Sequence, residues 1–554
     1  MSNKKEIQTE LLKLLNNKVY MFVMGFILLC SYGFQMTHFS IGIDDTAIPL
    51  YFDKGLSPIM GRWVIFLLNK VLYMTKWAPF LVEAMGALLL GATAVVYCVI
   101  FRRIIGDLFD TYAAIVFSAV FVSYPLISFV YRYYLHNGLG IGNLATAVAL
   151  LFFTEAFSLK LKESLKNYLL SMLLMLVAIG CYESFIIVYL IGLLVIIFLK
   201  AGFAEEKHSF IKCFVKFVTG CLPILLSVIL RSVVIRVVVA AFKLSVPEVT
   251  TIGLRSIGEM SSLINPVYGE SLAMLVKRFL IVYHLNALLF FPITIYELSC
   301  ILFLIFALVL TIKKRNPAFL VMWVGMEIIP FLLVLVEAKI SFYRECQYLP
   351  FYCAIGVGLF YVLCKKAFAK KKVILYVAGI LAAIVIYNQV AMLNSNFFME
   401  YREYQYTCDI LKGAAHDIME RYGNEYPVIF IGGDELPHEF VKDYYVPFSD
   451  KRYQLLARIT DLNDVHLKEK YWSPYGYTFI NEGSLSTIQW AFDAFDGTNR
   501  EMIEFLNMHG YSFMYLTDPD EYKRIRYSSE YEGMPQWPSE GSIRLENGYV
   551  IVNL

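Results

Sequence analysis

Long apolar segments recur along the first 393 residues of the chain. Several of them reach the roughly 20 residues that a helix needs to cross about 30 Å of bilayer hydrocarbon. Of the 554 residues, 58% are hydrophobic and only 17% are charged, whereas a soluble protein of this size needs a more polar surface. The first segment, residues 19–39, is too long for the hydrophobic part of a signal peptide, and no small-residue cleavage motif follows it. The chain is therefore predicted to be an all-α polytopic membrane protein.

The charges divide the chain into two parts near residue 393. Residues 394–554 carry 14 basic and 26 acidic side chains, a net charge of −12, and the rest of the chain has a net charge of +14. The acidic part contains strand-like segments, "YPVIFIGG" at 426–433 and "GYVIVNL" at 548–554, with a helix-like segment, "NREMIEFLNMHG", at 499–510. We therefore predict a transmembrane domain over 1–393 and an extracytoplasmic α/β domain over 394–554.

Basic residues predict the orientation of the apolar segments, because Lys and Arg accumulate on the cytoplasmic side of membrane proteins. The basic clusters are separated by even numbers of crossings if about eleven helices are assumed. Residues 167–200 are interpreted as two helices, since both ends of this stretch carry Lys and a single crossing leaves one of them on the wrong side. The protein is thus predicted to lie in the plasma membrane, with its N-terminus in the cytoplasm and its C-terminal domain outside. The predicted spans are residues 19–39, 78–101, 111–131, 138–159, 167–182, 184–200, 211–239, 295–312, 317–336, 347–364 and 373–392.

This orientation gathers a set of polar residues at the outer face of the membrane. Two stretches that are apolar but too short to span, residues 60–73 and 272–290, are predicted to be helices in the outer interface. The polar residues expected at this face are Asp44, Asp45, Arg62, His136, Asn137, Glu183, Arg344 and Glu345.

Asp44 and Asp45 directly follow the first predicted helix. Two neighbouring carboxylates near a low dielectric do not both ionise easily, so one of them is expected to accept a proton as a general base. A helix cap or a solvated loop pair is the structural alternative. Arg62 and Trp63, about one loop later, favour a site, because Arg binds phosphate through two hydrogen bonds and an aromatic ring stacks on a sugar face.

Several short motifs together resemble the Gtr type II glucosyltransferase family. They are "IDD" at 43–45, "GRW" at 61–63, "GCYESF" at 180–185, "FYRECQYLPFY" at 342–352 and the closing "WPSEGSIRLENGYVIVNL" at 537–554. The family is named for serotype-converting enzymes that add glucose to bacterial O-antigen. The resemblance implies the polytopic GT-C glycosyltransferase fold and a sugar donor linked through phosphate to a polyprenyl lipid. It also implies a catalytic acid in the first external loop, which matches Asp44 or Asp45.

The expected activity is the transfer of a single sugar, glucose or a similar one, from the lipid-linked donor to a surface or envelope glycan on the outer face of the membrane. Asp45 or Asp44 is the expected base for the acceptor hydroxyl. Cations that stabilise the departing phosphate are expected among Arg344, Arg62, Arg231, Lys277 and Arg278. Contacts to the sugar or the acceptor are expected from Tyr182, Glu183, Trp63, His136, Asn137 and Glu345.

Each of these residues has a structural alternative. Arg344 and Arg62 lie where a long basic side chain snorkels to the lipid headgroups, and the acid next to Arg344 is an obvious ion-pair partner. Glu183 is explained by a turn or cap role, and Asn137 by the start of a helix. Glu327 lies in the middle of a predicted span, and the sequence suggests only a buried hydrogen bond or a misplaced boundary for it.

Other classes of function have weaker support. No Cys and His spacing fits a metal site, and the glycine runs lack the strand and Lys of a nucleotide loop, so no cofactor is expected, although a divalent metal stays open. The expected partners are the lipid-linked donor, the glycan acceptor and membrane lipid, without nucleic acid. A transporter or flippase of polyprenyl-linked sugars is the main alternative, and a structural or sensing protein is the second. The charges collect on one face and no inverted repeat is visible, which favours an enzyme.

Overall fold

The computed structural model of the chain is a bundle of long helices followed by a small sheet near the C-terminus. It describes residues 2–38, 40, 61–68, 70, 79–128, 137–157, 161–203, 209–244, 272–337, 345–368, 371–432, 446–447, 451–460, 471–472 and 498–554.

Each of the predicted apolar spans contains a helix. In the described part of the chain, nine helices are long and apolar enough to cross a membrane, and shorter apolar helices lie at Thr111–Ile127 and Ala318–Ile328. The chain is therefore an all-α polytopic membrane protein with a small C-terminal sheet. The helices are α1 Ser2–Leu15, α2 Lys18–Thr37, α3 Trp63–Leu67, α4 Pro79–Ile105, α5 Thr111–Val122, α6 Asn137–Ala156, α7 Leu161–Cys181, α8 Phe185–Phe203, α9 Phe210–Ala241, α10 Leu272–Tyr283, α11 Phe291–Lys314, α12 Ala318–Ile328, α13 Phe331–Glu337, α14 Tyr348–Ala367, α15 Lys372–Tyr422, α16 Lys451–Thr460, α17 Arg500–Met508 and α18 Pro519–Arg526.

The stretch between residues 161 and 203 forms two helices, which confirms the prediction from its basic ends. α7 has 21 residues and α8 has 19, so each rises about 30 Å, enough to cross the hydrocarbon core. Residues 182–184 form the turn between them. This turn therefore lies at one end of the bundle, opposite the basic end of α8.

Basic residues from several helices meet at that other end. The Lys200 ammonium, near the end of α8, donates to the Thr154 carbonyl oxygen of α6 at 3.0 Å. The Lys314 ammonium, at the end of α11, donates to the Ala201 carbonyl oxygen at 2.7 Å. Arg103, near the end of α4, forms ion pairs with carboxylates of α1 and α6. Helix C-termini carry unpaired carbonyls and partial negative charge, so these cations stabilise the shared end of the bundle.

The short helices predicted in the interface differ from the long ones. α3 begins at Trp63, three residues after the predicted start at residue 60. α10 begins at Leu272, and the 3-10 helix Leu285–Leu288 follows it. Both stretches thus contain short helices of the predicted kind.

A four-stranded sheet organises the C-terminal part. Its strand order is β4-β1-β6-β5, with β1 parallel to both of its neighbours and β5 antiparallel to β6. β1 and β6 lie in the two segments that the sequence predicted as strands, and α17 lies in the segment predicted as a helix. A two-stranded pair, β2-β3, is separate. The strands are β1 Pro427–Ile431, β2 Val446–Pro447, β3 Tyr471–Trp472, β4 Met514–Tyr515, β5 Ile543–Glu546 and β6 Tyr549–Asn553.

α15 connects the bundle with the sheet. It is 51 residues long and continues through residue 393 without a break. Its first part contributes to the core of the bundle as far as Phe397, and its last part contributes to a second core from Cys408 onward. In that second core Gly413 makes room for the Trp537 ring, whose indole N–H donates to the Asp417 carboxylate at 3.0 Å. One helix therefore fixes the sheet to the bundle.

Candidate functional site

Five of the predicted site residues, Arg62, Trp63, Tyr182, Glu183 and Arg231, gather around α3. This helix packs against α6, α7 and α9 at the end of the bundle opposite the basic clusters. Gly61 precedes this helix with a φ of +87°, a conformation that glycine adopts without strain. The Arg231 guanidinium lies directly against Gly61, where any side chain would overlap it. The glycine thus allows the chain entering α3 to approach a buried cation.

Trp63 fixes the other side of the same segment. Its indole ring packs on Gly180, the next-to-last residue of α7, where a side chain would collide with the ring. The two glycines of "GRW" and "GCYESF" therefore hold the start of α3 against the turn at 182–184. Motifs separated by more than a hundred residues in the sequence form one structural unit.

An ion pair between Glu183 and Arg231 lies at the centre of this unit. Glu183 belongs to the turn between α7 and α8, and Arg231 lies 21 residues after the start of α9, about 30 Å along the helix axis. Arg231 is only 8% exposed. A buried charge in an apolar bundle is costly unless it is paired, and Glu183 provides the opposite charge for Arg231.

Arg62 adds a second cation beside this pair. Its guanidinium carbon lies 4.6 Å from the centre of the Tyr182 ring, a cation–π contact. Within the described ranges Arg62 has no acidic partner, in contrast to Arg231. The ring orients the guanidinium, and no carboxylate among the described residues compensates its charge, which suits an anionic ligand.

Three buried polar atoms in this cluster also indicate a ligand site. The Arg62 Nε, the Trp63 Nε1 and the Ser184 Oγ are buried and have no hydrogen-bond partner among the residues that the structure describes. Buried polar groups are nearly always hydrogen-bonded, so such a cluster is typical of a place that receives polar ligand atoms or water. Ser184 was not singled out from the sequence, although its position next to Glu183 is a usable signal.

α6 begins at this same end of the bundle. Its first residue is Asn137, and Gly142, one turn later, accommodates the Phe185 ring at the start of α8. Asn137 is thus the first residue of a helix whose N-terminus lies near the turn that carries Glu183. His136 lies outside the described residues.

The other predicted site residues have less structural support. Lys277 and Arg278 are half-buried on α10, which packs against the 3-10 helix Leu285–Leu288 and α13 rather than among the main neighbours of α3. Glu345 is half-buried just before α14. The structure does not describe Asp44, Asp45 and Arg344.

The structure shows which groups form hydrogen bonds with Glu327. Its carboxylate accepts hydrogen bonds from the Tyr352 hydroxyl at 2.9 Å and from the Tyr296 hydroxyl at 3.4 Å. Nearby, the His284 Nδ1 lies 2.9 Å from the Glu297 carboxylate. The sequence suggested a buried hydrogen bond for Glu327 but gave no partner, because Tyr296 and Tyr352 are on other helices.

A buried acid that the sequence did not single out lies toward the same end of the bundle. Glu83, in the first turns of α4, is 6% exposed. α4 ends at the basic side of the bundle, so Glu83 lies toward the end that carries the ion pair. The signal in the sequence was an acidic residue near the start of an apolar span. Among the described residues no group of three or more His, Cys, Asp or Glu side chains is arranged to hold a metal ion.

The fold and this cluster define a class: a polytopic helical membrane protein with paired charges, a further guanidinium and aromatic rings at one end of its bundle. The family model for the glucosyl transferase GtrII family matches residues 33–363, well over half of the chain. The chain belongs to this family and is a membrane glycosyltransferase, with a sugar donor and a glycan acceptor. No curated protein and no solved structure matches it. The transporter alternative gains no support from the family.

The contact between Gly61 and Arg231 gives a test of the site's architecture. Gly61→Ala is expected to destabilise the protein by about 1–3 kcal/mol, because the methyl group overlaps the guanidinium and the positive φ is strained for alanine. Gly25→Ala in α2 is the matched control, since a methyl group there meets no other atom within 4 Å. Thermal unfolding in detergent should show a lower midpoint for Gly61→Ala alone. Equal midpoints for the two variants would contradict the described packing.

Proposed function

We propose that this protein transfers a single hexose, glucose or a similar sugar, from a polyprenyl-phosphate-linked donor to a cell-surface or envelope glycan at the outer face of the plasma membrane. The observation that carries the proposal is the convergence of Arg62, Trp63, Tyr182, Glu183 and Arg231 at one end of an apolar helix bundle. Membership of a glucosyltransferase family supports the sugar transfer itself.

A lipid-linked donor fits the position of this cluster. Its polyprenyl chain stays among the apolar side chains while its phosphate and sugar stay at the interface, so the protein must present cations and aromatic rings at the end of its helices. Arg62 is the best described candidate for the phosphate, because its guanidinium lies over Tyr182 without an acidic partner in the described part of the chain. Trp63 and Tyr182 provide rings for the sugar.

Arg231 has a different role in this proposal. Glu183 already neutralises it, so Arg231 supports the charge balance and the geometry around Arg62 more than it binds an additional anion. Arg344 remains a second candidate for the phosphate on the strength of the sequence.

The chemical step needs a base and a stabilised leaving group. A carboxylate, Asp45 or Asp44, takes the proton from the acceptor hydroxyl while the acceptor oxygen attacks the anomeric carbon of the donor sugar. The bond between that carbon and the phosphate oxygen breaks, and the polyprenyl phosphate leaves with the bonding electrons. Arg62 stabilises the negative charge that develops on the phosphate.

The assignment of the base is tested by Asp44→Asn and Asp45→Asn, each made separately. At least one of them is expected to reduce transfer by about a hundredfold or more, because general-base catalysis contributes factors of about 10²–10⁴. Asp53→Asn is the matched control in the same segment of sequence and should keep its activity. The measurement is the transfer of radiolabelled glucose from synthetic polyprenyl-phosphate glucose in membranes that contain equal amounts of each variant. Wild-type rates of transfer by both variants would rule out both Asp44 and Asp45 as the base.

The proposed outer-face location depends on which end of the bundle faces the cytoplasm. The basic clusters share one end with α1, and the positive-inside rule assigns that end to the cytoplasm. The predicted C-terminal domain, residues 394–554, then lies outside and is available to contact the acceptor.

Cysteine labelling in intact cells tests this orientation. Ser529→Cys, at an exposed position before β5, is expected to react with a membrane-impermeant maleimide from outside. Thr9→Cys, at an exposed position in α1, is the matched control and should react only after the membrane is opened. The opposite pattern would move the cluster around Arg62 to the cytoplasmic face and contradict the proposal.

A further inference from the structure

A second polar site lies between the end of α2 and the middle of α15, separate from the cluster around Arg62. A groove there has a volume of about 650 Å³. Sites for small ligands typically occupy about 300–1,000 Å³ and combine aromatic walls with a few polar groups. The side chains that line it are Thr37, His38, Tyr401, Arg402, Tyr404, Gln405, Tyr406, Cys408, Asp409 and Lys412.

The aromatic wall of the groove is held in place by its own contacts. The His38 imidazole stacks on the Phe34 ring with 4.0 Å between ring centres, and the Tyr401 ring meets it edge-on at 5.0 Å. The Gln405 amide donates to the Tyr401 hydroxyl at 2.7 Å. Fixed rings of this kind offer a flat surface to the apolar face of a pyranose at little cost in side-chain entropy.

The polar wall carries charged side chains of both signs. Arg402, Asp409 and Lys412 line the groove, and none of them forms an ion pair with another described residue. Their donors and acceptors suit the hydroxyl groups of a sugar, which need both at short range.

We propose that this groove binds sugar units of the acceptor glycan and presents them to the transfer site. The proposal rests on the proposed function, which requires a glycan acceptor in addition to the lipid-linked donor. His38 precedes Asp44 by six residues in the sequence, so the groove wall is continuous in the chain with the proposed base. α15 extends from the apolar bundle into the sheet region, which suits a soluble polymer more than a lipid.

Kinetics with two substrates separate acceptor binding from donor binding. Asp409→Asn and Arg402→Gln are expected to raise the apparent KM for the acceptor about tenfold, as for the loss of a hydrogen bond to a charged group, and to leave the donor KM unchanged. The probe acceptor is surface glycan extracted from cells that lack this protein. Glu420→Gln and Arg421→Gln are the matched controls, since both residues are exposed on the same helix and do not line the groove.

A binding measurement separates this inference from the proposed function. Saturation-transfer NMR on the full-length protein in detergent, without donor, measures direct binding of the same glycan. If the wild type binds the glycan and Asp409→Asn and Arg402→Gln do not, the groove is an acceptor site. This conclusion holds even if no transfer from polyprenyl-phosphate glucose occurs. In that case only the proposed function fails. An unchanged acceptor KM with unchanged binding, or an equal rise of the KM values for donor and acceptor, would overturn the groove assignment.

Discussion

The ion pair between Glu183 and Arg231 stabilises charged side chains at one end of an otherwise apolar bundle. Glu183 lies in a tight turn between two membrane-length helices, and Arg231 lies deep on a third. Arg231 is nearly buried, and removing the partner of a buried charge typically costs about 3–5 kcal/mol. The pair joins α7, α8 and α9, whereas Arg62 beside it has no counter-charge in the described part of the chain.

Two glycines allow the remaining groups to reach this pair. Gly61 lets the chain pass beside the Arg231 guanidinium, and Gly180 accepts the Trp63 ring against α7. As a result Arg62 lies over Tyr182, next to buried polar atoms of Trp63 and Ser184. An anion and a sugar ring are the ligand groups that such neighbours favour. The rigid packing around Arg62 is a form of preorganisation, since few groups have to move when a ligand arrives.

The apolar pattern predicted most of the fold because membrane spans depend on local composition. The Lys residues at both ends of residues 167–200 also predicted that α7 and α8 are separate helices, because they required an even number of crossings. The apolar pattern did not reveal that α15 continues to Tyr422, because its polar second half has no apolar run, and its helical form depends on packing against the sheet region. Five of the residues proposed from the sequence lie together around α3, but the sequence did not predict which of them pair. Glu183 and Arg231 are 48 residues apart, and no sequence spacing connects them.

We propose that Arg62 binds the phosphate of the lipid-linked donor beside the Glu183–Arg231 ion pair. An electron cryomicroscopy structure of the full chain in lipid nanodiscs with polyprenyl-phosphate glucose tests this role of Arg62. We expect a phosphate oxygen about 2.7–2.9 Å from the Arg62 guanidinium, with the sugar against Trp63 or Tyr182 and the ion pair intact. A donor phosphate bound elsewhere, with Arg62 still turned onto Tyr182 and free of ligand, would contradict it.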